Sequence, residues 1–443
     1  MKYKYANSES AYLTVATTRP ETLFGDTGIG IHPSLENELI SKSCVVPLIN
    51  RTVPIILDKR IEKSFGTGIM KITPAHDKKD YQLALTHGLE IINILDKDNR
   101  LLKEFEVGKI KGRINNIRNI VVSELEDGGF LEKKEPYVCK EKECYRCNSG
   151  IEYSLTDQWY VKMKPLAEKL GGKTGELNFY PDYQKNVCDE WLENINDWCI
   201  SRQIAWGHEI PAWYCSNCQK INVSDLDIVA CLFCDGKALV KDKDVLDTWF
   251  SSWLWSYGVF NRNGVHQDYM KKYFPLDVII TGSDILFFWI TKMMMASLEF
   301  KDKLPFKDII LHGIIRDKDG VKMTKSIGNV IDPLDISKIY GTDALRYTLL
   351  HVGSVYKDIK IDIKNFQIGK SLATKLWNAG RYILLKNSDL VNNLADDLAD
   401  NLAENNSIRK ALAGVHVNIK ICINKYDFNG YCHLISSFFW NDF

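Results

Sequence analysis

The sequence predicts a multidomain α/β protein, β-rich at its start, built on parallel strands in its middle and helical towards its end. At 443 residues the chain exceeds the length at which a single hydrophobic core keeps growing, so several domains are expected. Residues 1–155 alternate short β-rich runs (AYLTVATT, DTGIGIHP, CVVPLIN, TVPIIL, GTGIMKITP) with turns, and KKDYQLALTHG reads as a helix among them. Between 156 and 355, DVIITG and DIILHG are continuous apolar runs that suit buried parallel strands. The stretch from Asp284 to Phe300 between them reads as a helical crossover, which makes a βαβ unit. From 356 to 443 the pattern turns helical: Leu390, Leu394, Leu398 and Leu402 recur every fourth residue in an Asn/Asp background, one apolar stripe.

Charge and composition exclude several classes. Lys+Arg and Asp+Glu both number 57, so whole-chain electrostatics give no pull towards nucleic acid, and only a local basic face can do so. Lys357, Lys360, Lys364, Lys370 and Lys375 offer such a run, equally readable as a solvated helix surface. The longest apolar stretch, Leu276 to Ile290, is interrupted by Asp277, Gly282 and Asp284, so no membrane span and no membrane partner are expected. MKYKYANSES lacks a basic segment followed by an apolar one, so no secretory signal is read there. Six of the 12 cysteines form three C-x2-C pairs in a long chain, which points to metal and a reducing, cytoplasmic setting.

Cys215, Cys218, Cys231 and Cys234 place four thiolates on two knuckles within residues 213–236, the spacing of a closed tetrahedral zinc site. Four thiolates leave no position for water, so a structural Zn2+ is expected. Cys144 and Cys147 have only Cys139 nearby; they read as a half-site, an incomplete site, or one completed from elsewhere.

The stretch DIILHGIIRDKDGVKMTKSIGNVIDP follows the βαβ unit, and doubly wound folds bind nucleotides beyond the carboxyl ends of their strands. Lys322 and Lys325 lie on a loop bounded by Gly320 and Gly328, suited to closing over a triphosphate and stabilising developing charge. A K-x-x-K segment by itself would read as a solvated basic turn. KMTKS followed by IGNVIDP, however, resembles the lysine loop of class I aminoacyl-tRNA synthetases, with Thr324 where the family has serine. TTRPETLFGDT, DWCISRQIAWGHEIPAWYC, DVLDTWFSSWLW and TGSDILFFW are similar to segments of the valine-specific branch, in family order.

The resemblance implies a fold and a set of roles. Residues 1–155 would be an editing domain, partial at its start. Residues 156–355 would be the second half of a Rossmann-like catalytic domain with the zinc knuckle inserted, and 356–443 a truncated anticodon-binding domain. Lys322 and Lys325, with Gly282 and Asp284, would bind ATP with its Mg2+; Trp249, Trp289 and Ile285 would wall the valine pocket, although large aromatics more often serve as core. Arg19, Thr22, Lys71, Thr73, Asp77 and Asp80 would line the editing site, with Thr17 and Thr18 as further donors. Without the resemblance, Asp77 and Asp80 would read as a helix cap and surface charge.

The implied activity is ATP-dependent attachment of valine to tRNA(Val) through valyl-adenylate, by a monomer, with hydrolysis of threonyl-tRNA(Val). For this same family, a pocket shaped for valine is known to reject threonine only about a hundredfold, which is why a second, hydrolytic site is useful. The isoleucine branch carries a Thr-Pro-Trp editing strand where this chain has TTRPET, and the leucine branch lacks the WGHEIPAW and DTWFSS forms. A free-standing editing hydrolase is an alternative, but it would have no use for the lysine loop. The family's H-x-G-H segment is not matched by LTHGLE, WGHEIP or ILHGII. The chain is therefore expected to open inside the editing domain and to activate valine poorly alone, and upstream cysteines would partner Cys144 and Cys147.

Overall fold

The computed structural model describes all residues except 9, 65, 139–141, 145–146, 262–266, 326, 354–356 and 391–400. The chain divides into two compact units, Met1–Asp157 and Gln158–Phe443. Of the leucine stripe, Leu394 and Leu398 lie outside the described residues, as do the side chains of Leu390 and Leu402. No helix among the described residues is long and apolar enough to cross a membrane.

The first unit is built on a six-stranded mixed sheet. Its strands are β1 (Lys2–Tyr5), β2 (Tyr12–Thr14), β3 (Gly28–Ile31), β4 (Ser43–Val46), β5 (Arg51–Leu57) and β6 (Ile69–Ile72), in the order β2-β1-β4-β5-β3-β6. Only β3 and β5 run parallel; β3 and β6 are antiparallel, with Gly28 opposite Ile72 and Ile29 opposite Lys71. All four β3 residues are buried, so GIGI cannot show the half-polar alternation of a surface strand. On one face lies helix α1 (Lys78–His87), capped by Asp77 at its start and by Gly88 at φ 66° at its end. Helix α2 (Ile114–Asp127) buries Ile114, Ile117, Val121 and Leu125, one stripe at helical spacing, in the same core as Tyr3, Leu23, Phe24, Ile29 and Ile31.

The second unit contains the expected βαβ unit. Strands β11 (Leu276–Gly282) and β12 (Phe306–His312) are parallel, and β7 (Asn178–Tyr180) adds a third parallel strand on the other side of β12. The crossover differs from a plain helix. It begins with a 3-10 turn, Ser283–Ile285, and a π turn, Leu286–Ile290, before helix α6 (Thr291–Lys301). Thr291 satisfies the widened turn by donating both its backbone N–H and its hydroxyl to the Leu286 carbonyl. From Thr291 to Leu298 every residue of α6 is buried, which is why no polar face shows in ITKMMMASL.

Along the chain between β7 and β11 comes a separate antiparallel ribbon of β8 (Ala212–Cys215), β9 (Ile221–Val223) and β10 (Leu239–Lys241), with β8 central. Helices α3 (Met163–Gly171), α4 (Tyr183–Glu193) and α5 (Thr248–Ser252) belong to the sheet portion of the unit. After it come α7 (Pro333–Tyr340), α8 (Thr342–Val352), α9 (Gln367–Leu390), α10 (Asn401–Asn424) and α11 (Phe428–Ser437).

At Gly313, just past β12, a Cβ would stand 2.0 Å from the Lys357 carbonyl oxygen. Backbone cannot yield as a flexible side chain can. Gly313→Ala is therefore expected to destabilise the unit by roughly 1–3 kcal/mol, read as a lower denaturant midpoint with an unchanged slope. An unchanged midpoint would contradict this packing.

Candidate functional site

In the first unit a cavity of ≈ 580 Å³ opens beside β6 and the start of α1. Arg19, Thr22, Lys71, Thr73, Asp77 and Asp80 all line it, together with Thr17 and Thr18. The β3–β6 pairing brings these distant stretches together, because it sets the turn that carries Thr22 and Asp26 against Lys71 and Thr73.

The floor is a closed hydrogen-bond network. Lys71 Nζ donates to Thr22 Oγ1 at 2.7 Å, Asp26 Oδ1 at 2.8 Å and Thr73 Oγ1 at 2.5 Å. These take all three protons an ammonium has. Thr73 Oγ1 donates to Asp26 Oδ1 at 2.7 Å, and Thr22 Oγ1 donates to the Arg19 carbonyl at 3.1 Å. Lys71, Thr22 and Thr73 therefore supply fixed charge and shape, and each must break an existing bond before donating to a ligand.

The two aspartates differ in kind. Asp77 is exposed, and its Oδ1 caps α1 by accepting from the Lys79 and Asp80 amides. That is the capping role its position suggested, performed at the rim of the cavity. Asp80 is buried, and its Oδ2 accepts from the Thr73 amide at 2.8 Å. Burial pushes its carboxyl up to about 6, against the pull of the Thr73 amide and with a further push from Asp77. A carboxylate there is ionised near neutrality but little hydrated, suited to accepting from an ammonium, a hydroxyl or a water.

Several groups were missed by sequence reasoning. Asp26, fully buried, lies inside TTRPETLFGDT; an acid amid LFGDTGIGI was the available signal. Arg19 is held by Glu21, Glu152 and the His76 carbonyl, and Glu21 in turn accepts two bonds at 3.0 Å from Arg118. His76 accepts from the Ile94 amide at Nε2 and faces the Tyr153 carbonyl with Nδ1, so it is neutral with its proton on Nδ1. Burial lowers it to about 4 despite the Tyr153 bond. It is a braced wall of the cavity rather than a free base.

In the second unit, Gly282 and His312 are paired at the carboxyl ends of β11 and β12. A Cβ on Gly282 would meet Asp284 Oδ1 at 2.7 Å, so glycine lets that exposed carboxylate fold back onto the strand end. Trp249, near the start of α5, and Trp289, in the π turn, are half-buried and pack on the same core cluster. Trp289 Nε1 donates to the Ser252 carbonyl at 3.1 Å, Trp249 stacks on Phe288 at 6.0 Å, and Ile285 is half-buried. Neither tryptophan is a fully buried core side chain. Behind Trp249, Asp247 accepts from its amide and takes Trp198 Nε1 and Arg202 on Oδ2, three partners no motif announced.

The lysine loop has an internal brace. Asn329 Oδ1 accepts from the Thr324 amide at 2.9 Å, and its amide nitrogen donates to Asp317 Oδ2 at 2.8 Å and to the Lys322 carbonyl. Lys322 and Lys325 stay exposed, while Met323 packs with Ile336, Ile361 and Phe366. The loop thus sends its apolar residue inward and its ammonium groups outward.

Cys215, Cys218, Cys231 and Cys234 have sulfurs all within 4.8 Å of one another, with two pairs at 3.6 Å. Zinc–sulfur arms of about 2.3 Å in a tetrahedron require sulfur separations of about 3.8 Å, so the four thiols fit that ion. Gln219 and Asp235 adopt φ 60° and 56°, turning each knuckle back on itself. Beside Cys144 and Cys147, Asn148 adopts φ 53° and donates its N–H to the Cys144 carbonyl. No other ligand-bearing residue joins them among the described residues, and Cys139 lies outside those residues.

Comparison with known proteins bears on the whole chain. It is 42% identical to the valine--tRNA ligase of Petrotoga mobilis over 100% of this chain and 51% of that protein. Against the valine--tRNA ligase of Treponema denticola it is 42% identical, over 97% of this chain and 48% of the relative. The Thermotoga maritima valine--tRNA ligase is 41% identical over 100% and 51%. The chain thus spans about half the length of the curated relatives it matches. The family model of the class I tRNA synthetases (I, L, M and V) matches residues 58–362. That match takes in α1, the cysteine ribbon, the three parallel strands of the second unit and the lysine loop, and the chain belongs to the class I tRNA synthetases.

Proposed function

We propose that this chain is the editing domain and the second part of the synthetic site of a valine--tRNA ligase, and that its cavity hydrolyses threonyl-tRNA(Val). The observation that carries the hydrolytic reading is the buried Asp80 beside a charged, fully bonded floor in a cavity of ≈ 580 Å³. An aminoacyl ester brings an ammonium and, for threonine, a hydroxyl. Exposed Asp77 suits the ammonium. Asp80 suits the hydroxyl or the attacking water. The hydroxyls of Thr17 and Thr18 are donors for the developing oxyanion.

The valine assignment rests on the matched relatives and on the tryptophans. Trp249, Trp289 and Ile285 would wall a small apolar pocket, Lys322 and Lys325 would meet the phosphates of Mg2+–ATP, and Gly282 with Asp284 would meet its nucleoside part. One Zn2+ on Cys215, Cys218, Cys231 and Cys234 would hold the ribbon. The partners of the whole enzyme would be tRNA(Val), valine and ATP, in the cytoplasm. A stand-alone editing hydrolase remains the second reading; the exposed lysine pair, braced at Asn329, favours the ligase.

The test uses the full chain with threonyl-tRNA(Val). Hydrolysis well above the buffer rate is expected, with valyl-tRNA(Val) spared; threonyl-tRNA(Val) as stable as in buffer would sink the reading. Valine-dependent ATP–pyrophosphate exchange by these residues alone is expected to be absent, and robust exchange would refute that part.

A further inference from the structure

We propose that Asp26 is the positioning residue of the cavity, aiming the Lys71 ammonium from beneath, directly and by way of the Thr73 hydroxyl, without itself touching a substrate. The proposal rests on the hydrolytic reading of the cavity. Asp26 is fully buried and does not line the cavity. Its Oδ1 accepts from Lys71 Nζ at 2.8 Å and Thr73 Oγ1 at 2.7 Å, and its Oδ2 accepts from Tyr3 OH at 2.6 Å. Its carbonyl accepts from the Arg51 guanidinium at 3.2 Å. Tyr3 sits on β1 and Lys71 on β6, at separate places in the sheet order, so one carboxylate ties the cavity floor to the interior.

The fold alone does not need this arrangement. Two well-packed apolar side chains serve a core as well as a buried ion pair, often better. What the pair adds is a charge held at one place beside the cavity. Lys71 has no side-chain proton left to search for other partners, and Asp26 is its only anionic partner by direct bond among the described residues. Removing the Asp26 charge leaves the ammonium buried and uncompensated, and Lys71 must then reorient.

The experiment compares kcat and KM for threonyl-tRNA(Val) hydrolysis by the full chain, Asp26→Asn, Lys71→Met and the double variant. Asp26→Asn is expected to lower kcat about tenfold to a hundredfold with KM changed less than about twofold, since misplacement of a fixed group acts on the reacting geometry. Because Asp26 acts through Lys71, the double variant should be no slower than Lys71→Met alone. Multiplying losses, or an unchanged kcat in Asp26→Asn, would overturn the proposal. A second readout does not depend on hydrolysis. The buried, triply bonded Lys71 ammonium should give a 1H–15N signal that survives proton exchange, assigned by its loss in Lys71→Met. Asp26→Asn should lose that signal, and its persistence would overturn the proposal. If the wild type fails to hydrolyse but the signal vanishes in Asp26→Asn, the positioning stands and the hydrolytic reading falls.

Discussion

Asp80→Asn is expected to lower threonyl-tRNA(Val) hydrolysis by about a hundredfold or more, the scale on which a positioned acid–base group acts, while making the protein more stable. Asp80 is buried, and burial raises its carboxyl to about 6 from the usual 3.8. Between those values the folded chain keeps a proton that the unfolded chain has lost. Stability therefore falls as pH rises through this window, and the full penalty is present above about 6. The shift corresponds to at most about 3 kcal/mol. An asparagine avoids the buried charge and can still accept from the Thr73 amide, but its NH2 needs a partner, so a gain of about 1–2 kcal/mol is expected at pH 7. Wild-type hydrolysis should rise with pH through about 6 as Asp80 ionises. Equilibrium unfolding at pH 7 and pH 4.5, beside single-turnover hydrolysis, checks both halves. An asparagine variant that hydrolyses at the wild-type rate, or loses stability at pH 7, would remove Asp80 from the role assigned to it.

Loss of the metal ion should have the other large effect. The ribbon of β8, β9 and β10 has little apolar interior: Leu226, Val229, Leu232 and Phe233 are 73%, 89%, 61% and 56% exposed. Its buried residues are Ala212, Trp213, Cys215, Asn222 and Cys231, with Asn222 Oδ1 accepting from the Leu232 amide at 2.7 Å. So small a core cannot offset the ordering of some 30 residues, and structural zinc supplies on the order of 10 kcal/mol in comparable knuckles. Metal analysis should find one zinc per chain from this site. Cys231→Ser should lose it and open 212–241 to protease while leaving the first unit intact. A metal-free chain with a protease-resistant ribbon would refute the assignment.

Cysteine spacing made the four-thiol cluster legible. The four-thiol set needs only chain turns of fixed length, so C-x2-C pairs imply the geometry before any fold is known. The βαβ unit was legible because buried parallel strands and a fully buried helix leave long apolar runs. The π turn within the crossover was not, since Leu286–Ile290 has no polar residue to mark a register change. Strand β7, three residues long, carries too short a pattern to distinguish from loop.

The cavity shows the division most sharply. The sequence by itself determined which residue types were available: Arg19, Thr22, Lys71, Thr73, Asp77 and Asp80, in two stretches about fifty residues apart. It also determined that Asp77 would cap a helix, because an N-cap depends on local backbone alone. Only the tertiary structure decided that Asp80 is buried while Asp77 is exposed, and that Lys71 spends every proton on its neighbours. It alone brought in Asp26 and Tyr3. Hydrogen bonds and desolvation act over a few ångströms in space, and the pairing of β3 with β6, not any spacing along the chain, brings those groups within that reach.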